Sequence, residues 1–141
     1  MKIKFLFGCI LFSAHLCGQQ LTYVPDDHFE QELIDTGFDD VLDDYVLTSN
    51  IDTIEILNLA FRGISDLTGI EDFEELTVLD CQSNYLTGID LSEMSHLLQF
   101  NCFGNQLLEL DISHNSHLSE LYCSSNQLTS LDVSQNPDLF I

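Results

Sequence analysis

The sequence predicts an α/β solenoid, whose right-handed coils place a parallel sheet on the concave face and whose N-terminal end is covered by a small helical cap. Three observations predict it. From Leu76 onward the same pattern of apolar and polar residues returns every 21 residues. Within each copy, a triplet such as Leu79-Asp80-Cys81 alternates apolar and polar residues, as a strand with one buried face does. An acidic amphipathic segment precedes the repeats, where a solenoid has to close the open end of its core.

Seven columns of residues recur at the 21-residue period, and the first runs through Leu76, Leu97, Leu118 and Leu139. Five more apolar columns are Leu79, Phe100 and Leu121; Cys81, Cys102 and Cys123; Leu86, Leu107 and Leu128; Ile89, Leu110 and Leu131; and Leu91, Ile112 and Val133. Such a pattern, at a period of about 20 to 29 residues, is typical of a leucine-rich repeat, in which each unit is one coil. Because one unit cannot bury its own apolar face, we expect stacked coils to share a core, with strands about 4.8 Å apart.

The seventh column consists of Asn84, Asn105 and Asn126, which follow the strands at the point where the chain must turn. A turn leaves backbone N–H and C=O groups without ladder partners, and an inward amide side chain serves both kinds of group. We therefore expect a structural asparagine ladder rather than a ligand site.

The cysteines of the repeats, Cys81, Cys102 and Cys123, occupy a column where the pattern otherwise takes an inward Leu. Buried thiols behave as small apolar side chains, so this column is interpreted as part of the structural ladder. A disulfide between adjacent coils is the alternative, although in-register parallel side chains rarely offer the required dihedral angle.

The N-terminal segment predicts export. Lys2 and Lys4 precede an apolar run from Phe5 to Phe12, and small residues close the segment, which is the pattern of a secretory signal peptide. Lipoprotein processing at Cys17 is the alternative. The run is too short for a transmembrane anchor, so we expect no membrane insertion after cleavage and a bacterial protein that is secreted or held on the outer cell surface.

These patterns predict three segments: a signal peptide at 1–18, an acidic helical N-terminal cap at 19–50 and a leucine-rich-repeat domain at 51–141. The repeat domain is divided into an irregular first coil 51–75, regular coils 76–96, 97–117 and 118–138, and a truncated coil 139–141. Because the chain finishes on apolar residues, we expect either a longer parent protein or association through an open C-terminal end.

The charge of the chain restricts its partners. The sequence has 24 acidic residues and 3 Lys and Arg residues, and both lysines lie in the predicted signal peptide. The remaining chain carries Arg62 alone, so its net charge is 1 − 24 = −23. This charge excludes binding to the phosphate backbone of nucleic acid and disfavours anionic membranes. It favours cationic partners or divalent cations.

Within the cap a helix is predicted to begin at Pro25, where Asp26 and Asp27 suit its first turn, and to end at Gly37. A second amphipathic piece is expected from Phe38 to Leu47. The paired aspartates of this region raise calcium binding, but they lack the spacing of a calcium loop. In the first coil, Arg62 replaces the repeat's Asn, and we expect this coil to lean on the cap.

Other polar residues also recur, and none completes a catalytic motif. Asp90, Asp111 and Asp132 are expected on the convex side, either solvated or bonded to the next turn, with a calcium ladder as the weaker alternative. His96 and His117 are one period apart and have His114 nearby, so a zinc or copper corner is an alternative to ordinary turn residues. No cofactor motif is present, and no catalytic or metal residue is assigned.

The outward strand positions differ from coil to coil, while the inward columns stay nearly constant. Such variation is typical of a concave recognition surface, because the scaffold fixes position and leaves the chemistry free. Exposed aromatics give much contact area for little lost entropy, which favours Phe103 and Tyr122 as anchors. The candidate ligand-binding residues are Val78, Asp80, Gln82, Gln99, Asn101, Phe103, Glu120, Tyr122 and Ser124.

The motif L-x-x-L-x-C-x-x-N-x-L, seen from Leu76, from Leu97 (with Phe100 for one Leu) and from Leu118, resembles that of secreted bacterial leucine-rich-repeat proteins of the internalin type. The acidic region from Tyr23 to Thr48 resembles the segment that precedes such repeats in secreted proteins of gliding bacteria. The resemblance implies a non-enzymatic binding module for a protein or glycan. The alternative is a structural spacer, or the N-terminal fragment of a longer surface protein whose activity lies in a C-terminal part.

Overall fold

The computed structural model describes residues 19–140. The predicted signal peptide and Ile141 therefore lie outside the described residues. Within the described range, no helix is both long enough and apolar enough to cross a membrane. The elements are β1 (Leu21–Tyr23), α1 (Asp27–Asp35), β2 (Tyr45–Leu47), α2 (Thr48–Ile51), β3 (Ile56–Asn58), a 3₁₀ turn (Ile70–Asp72), β4 (Val78–Asp80), β5 (Gln99–Asn101) and β6 (Glu120–Tyr122).

The repeats form a parallel sheet in the order β3-β4-β5-β6. Its register aligns Leu57 with Leu79, Phe100 and Leu121, which are the buried middle residues of the four strands. The first step is 22 residues and the later steps are 21, as the columns of the sequence require. The predicted solenoid with a parallel sheet is confirmed.

A continuous apolar core runs through the cap and the coils. Phe29 and Leu33 of α1 are fully buried, and Phe29 stacks on Phe73 of the first coil with ring centroids 6.1 Å apart. Burial of this kind contributes about 1.5–3 kcal/mol for each large apolar side chain. The core therefore makes the cap and the first coil one packed unit.

The cap differs from the sequence prediction in its second half. The expected amphipathic piece from Phe38 to Leu47 is not a helix, since Tyr45–Leu47 forms β2 and pairs antiparallel with β1. Tyr45 and Val46 alternate exposed and buried, which is the period of a strand. Before β2, the Glu30 carboxylate accepts the N–H groups of Asp43 and Tyr45 at 2.8 and 3.1 Å, and these bonds hold the segment in an irregular path.

Charged groups join the cap to the first coil. The Asp26 carboxylate caps α1 through the N–H groups of His28 and Phe29, and its other oxygen accepts the N–H and hydroxyl of Ser65 and the N–H of Asp66. The Arg62 guanidinium binds the Glu32 carboxylate through two contacts of 2.8 and 3.0 Å. These bonds hold the first coil against the cap, as the sequence predicts.

Candidate binding surface on the concave face

The concave face consists of the outward residues of β3 to β6 and of the positions that follow these strands. In β4 to β6 the middle residue is buried and its neighbours are partly or fully exposed, so the neighbours project from the sheet. All nine predicted residues lie on these strands or two residues beyond them. The structure thus brings them together in three columns: Val78, Gln99 and Glu120; Asp80, Asn101 and Tyr122; and Gln82, Phe103 and Ser124.

In the column of Asp80, Asn101 and Tyr122, two side chains already accept hydrogen bonds from their own turns. Asp80 accepts the N–H of Gln82 at 3.0 Å, and Asn101 accepts the N–H of Phe103 at 3.1 Å. These Asx turns end the strands. One side-chain oxygen of each residue is therefore committed to the backbone, and the remaining polar atoms are those a ligand can reach.

Side-chain bonds hold the polar part of the surface in place. The Glu120 carboxylate accepts the Gln99 amide at 3.0 Å and the Tyr122 hydroxyl at 3.3 Å. The second Asp80 oxygen accepts the Gln82 amide at 3.1 Å. Because rotamers that are already fixed lose less entropy on binding, this arrangement favours recognition.

The first coil extends the same surface, which the sequence reasoning missed. Ile56 and Asn58 of β3 align with Val78 and Asp80, and Ile56 is 68% exposed. The signal was present in the sequence, because the 22-residue offset that relates Leu57 to Leu79 also relates these pairs. The candidate surface therefore spans four strands rather than three.

Phe61 is a further missed residue. Its side chain is 72% exposed and its backbone has φ of +61°, the left-handed region. The equivalent turn positions are Ser83, Gly104 and Ser125, which are left-handed as well. A bulky side chain in this region costs roughly 1 kcal/mol or more, so an exposed Phe is an unexpected choice here.

The asparagine ladder fixes the turns behind the surface. The Asn84 oxygen accepts the N–H groups of Arg62 and Ile64, and its amide donates to the carbonyls of Leu59 and Cys81. Asn105 and Asn126 repeat the arrangement in the next coils. These side chains bond to backbone groups of their own coil and of the preceding one, so the turns are tied from coil to coil.

A second ladder, also missed, stands on the opposite flank. Asn115 and Asn136 are buried and one period apart, and the amide of each donates to two backbone carbonyls of the preceding coil. Their period of 21 residues was visible in the sequence. In the coil before, the position is Met94, which breaks the column and hid it.

The recurring carboxylates of the opposite flank are exposed. Asp90, Asp111 and Asp132 each accept the N–H of the Ser two residues later at 2.9 Å. These hydrogen bonds lower the pKa of all three carboxyl groups. The described residues contain no group of three or more His, Cys, Asp or Glu side chains placed to hold a metal ion. His96 and His114 instead lie near a Glu74 carbonyl and the Ser113 hydroxyl, at 3.4 and 3.3 Å.

The thiols of Cys81, Cys102 and Cys123 are free. Burial raises the pKa of Cys102 to about 12 and the pKa of Cys81 well above its ordinary value. Both thiols are fully buried and protonated at neutral pH. They contribute apolar contacts to the core, because a protonated thiol is a poor nucleophile.

Comparison with known proteins agrees with this architecture. The family model described as Leucine Rich Repeat matches residues 75–97. The functional domain of InlJ from Listeria monocytogenes, which includes a cysteine ladder, superposes with a TM-score of 0.77 at 37% identity over 86% of this chain and 28% of that one. The internalin InlF from the same organism gives 0.71 at 22% identity, over 80% and 33% of the two chains. The LRIM1/APL1C complex gives 0.60 at 27% identity, over 66% and 20%.

The sheet, the repeat and these matches define a leucine-rich-repeat protein. Its architecture is internalin-like, as the motif from Leu76 predicts, and it resembles the bacterial members of that class. The chain spans about 28% of the InlJ chain and 33% of the InlF chain. No curated protein matches it by sequence.

Proposed function

We propose that the chain is a non-enzymatic binding module, exported to the bacterial cell surface or secreted, whose concave face recognises a protein or a glycan. The observation that carries the proposal is the contrast between constant inward columns and varied outward ones. The three outward residues of β4 and its turn are Val78, Asp80 and Gln82, whereas the last coil has Glu120, Tyr122 and Ser124 in their place. A ligand that reads shape and charge along the coils requires such variation.

The exposed aromatic residues are the proposed anchors. Phe103 is 41% exposed and Tyr122 is 57% exposed, and they lie on adjacent coils. Four strands at about 4.8 Å spacing give a strip only about 15 Å wide. A narrow surface needs a few side chains that contribute much of the binding energy, and aromatic residues do so most often.

The proposed location follows from the N-terminal pattern and from the relatives. Lys2 and Lys4 followed by a short apolar run favour cleavage and export. Fractionation of the native host, with an antibody to the repeats, tests the location. Protein found only in the cytoplasm would contradict it.

A structural spacer is the second candidate. One observation favours it: the carboxylate of Asp80 and the amide of Asn101 are partly explained by the Asx turns that end their strands. On this hypothesis the outward residues serve the fold, and a separate region of a longer surface protein would bind.

Binding assays distinguish the two candidates. Binding of the double variant Phe103→Ser with Tyr122→Ser and of the wild type is measured against a panel of cell-surface proteins and glycans. Leu108→Ser, which removes an exposed apolar residue from outside the strands, is the matched control. We expect the double variant to lose the ligand and the control to keep it. A ligand that both variants retain would contradict the two aromatic anchors, and a wild type that binds no member of the panel would favour the spacer.

A further inference from the structure

The outer face of the cap sheet is apolar and exposed. The inner residues of β1 and β2, Thr22 and Val46, are buried. The outer residues pair across the two strands as Leu21 with Leu47 and Tyr23 with Tyr45. The two tyrosine rings are tilted against each other with centroids 5.4 Å apart.

A pocket of about 450 Å³ adjoins this sheet. The loop between α1 and β2 forms its other side, where Val41 is half exposed beside Phe38. We name the pocket and the outer sheet residues together the cap groove. Leu21, Tyr23, Tyr45 and Val41 are each between 45% and 52% exposed, so a cluster of large apolar side chains is open to solvent here. Clusters of this kind mark interaction sites more often than isolated exposed residues do.

Carboxylates line the same groove. Asp39, Asp40 and Asp43 lie in its wall. The Asp39 Oδ2 atom is buried and accepts no hydrogen bond from the described residues, and the same holds for Oε2 of Glu30, the fully buried residue of α1. Burial raises the pKa of both carboxyl groups, and the nearby Asp39 charge also raises the pKa of Glu30. Because Asp39 lies in the wall of the groove, a cation bound there could give its unpaired oxygen a partner.

The chain itself has no cation to offer at this place. After residue 18, Arg62 is its only Lys or Arg, and that guanidinium is bound to Glu32. A second copy of the chain is a poor occupant for the same reason, since each copy carries a charge of 1 − 24 = −23 after residue 18. Charge complementarity therefore requires a foreign, basic partner.

We propose that the cap groove is a second binding site, separate from the concave face, and that it takes a segment of a partner protein in which basic and apolar side chains alternate. The apolar side chains pack on Leu21, Tyr45 and Val41. The ammonium or guanidinium groups reach Asp39 and Asp43, and the aliphatic stem of a Lys or Arg side chain suits an apolar wall with a charged end. The Tyr45 ring can add a cation–π contact.

The test uses two fluorescein-labelled peptides of equal charge, acetyl-(Lys-Leu)3-amide and acetyl-(Lys-Ser)3-amide. Binding to the purified protein is measured by fluorescence anisotropy at about 150 mM salt, where long-range attraction is largely screened. We expect the Lys-Leu peptide to bind at least tenfold more tightly than the Lys-Ser peptide. This difference isolates the apolar wall, because the charges are the same.

Variants then locate the site. Asp39→Asn with Asp43→Asn should weaken binding of the Lys-Leu peptide roughly tenfold, the loss expected for charge-assisted bonds. Glu109→Gln with Asp138→Asn removes two exposed charges from the coils, away from the groove, and should change affinity less than twofold. Val41→Ser changes an exposed residue of the groove without touching a carboxylate, and should also weaken binding several-fold.

Several outcomes would overturn the proposal. Absence of Lys-Leu binding at millimolar peptide, or equal losses in the two charge variants, would show that only the overall negative field acts. Preferential binding of a chitosan hexamer would assign the groove to a cationic glycan. A dimer detected by sedimentation and abolished by Val41→Asp would assign it to a second copy. None of these results depends on the concave face, so they are independent of the proposed ligand there.

Discussion

In the coils from Asn84 to Asn126, buried backbone groups are paired by neutral amides, whereas the joint between the cap and the first coil is paired by carboxylates. Asn105 pairs three backbone groups from two coils. The two oxygens of Asp26 accept five hydrogen bonds, from the start of α1 and from the first coil. An amide has no charge to lose at any ordinary pH. The asparagine ladder of the coils should therefore respond to substitution but not to acid, and the cap joint should respond to both.

The largest effect is expected for Asn105→Ala. The substitution leaves the Leu86 N–H without its acceptor. It also removes one of the two amide hydrogen bonds that the carbonyls of Cys81 and Cys102 each accept, while those from Asn84 and Asn126 remain. At roughly 1–3 kcal/mol for the unpaired buried N–H and about 1 kcal/mol for each of the two lost hydrogen bonds, the free energy of unfolding should fall by about 3 kcal/mol or more. Urea unfolding followed by circular dichroism measures it. Gln106→Ala at the exposed neighbour is the control, and equal losses in the two variants would contradict a structural ladder.

The next effect is expected for Asp26→Ala. This change removes the cap of α1 and the acceptor of Ser65 and Asp66 together. Loss of the cap costs about 1 kcal/mol and the unpaired groups add to it, so we expect a loss of about 2–3 kcal/mol. Asp26→Asn, which keeps one acceptor oxygen, should lose less. A smaller loss in the Ala variant than in the Asn variant would show that the joint does not depend on these bonds.

The stability of the cap should depend on pH in a way that the asparagine ladder of the coils does not. Burial raises the pKa of Asp26, but hydrogen bonds from Ser65, Phe29 and His28 outweigh this and hold the pKa below 3.8. Its contribution is present above pH 3.8 and is lost as the pH falls through the lowered folded-state pKa. Glu30 has the opposite sign, because its raised pKa means that ionisation costs stability, and this cost is relieved as the pH falls through the raised value.

We therefore expect the cap to gain stability on mild acidification from pH 7 and to lose it below pH 3.8. Hydrogen exchange of the β1 and β2 amides across this range measures the effect. Glu30→Gln should reduce the gain, because only the raised pKa of Asp39 then contributes to it, and should leave the loss at low pH. Equal pH dependence of cap and coil amides would contradict the comparison.

The same contrast explains what the sequence could predict. Burial in a stacked coil imposes one period on every inward residue, so the solenoid, its strands and the position of the concave residues follow from the spacing of residues such as Leu79 and Phe100. The joint does not repeat, and the Arg62 to Glu32 pair joins residues 30 apart with no pattern between them. The β1 and β2 pair was missed because strands of three residues give too short an alternation to distinguish from a helix. The cap groove could not be predicted either, because the outer residues of β1 and β2 form one of its walls.

A smaller effect is expected for Arg62→Met. The Glu32 side chain is only 6% exposed, so the substitution leaves a nearly buried carboxylate without its partner. Because the Arg62 side chain is 49% exposed, solvent screens the pair, and we expect a loss of about 1–2 kcal/mol. The double variant Arg62→Met with Glu32→Met should recover part of this loss. A double variant that is no better than the single one would show that the guanidinium contributes packing rather than charge.

The smallest effect, and the one with opposite sign, is expected for Phe61→Asn. Asn tolerates the left-handed backbone that Phe61 adopts, whereas a bulky side chain is strained there, so the free energy of unfolding should rise by roughly 0.5–1 kcal/mol. Gly104 holds the equivalent turn in a later coil, and Gly104→Ala should lower stability by a similar amount, since its φ is +70°. If Phe61→Asn stabilises the fold and weakens a concave-face ligand, the strain at this turn is retained for contact with that ligand. If it stabilises the fold and binding is unchanged, the ligand lies on the later coils, and the first coil serves only to join the repeats to the cap.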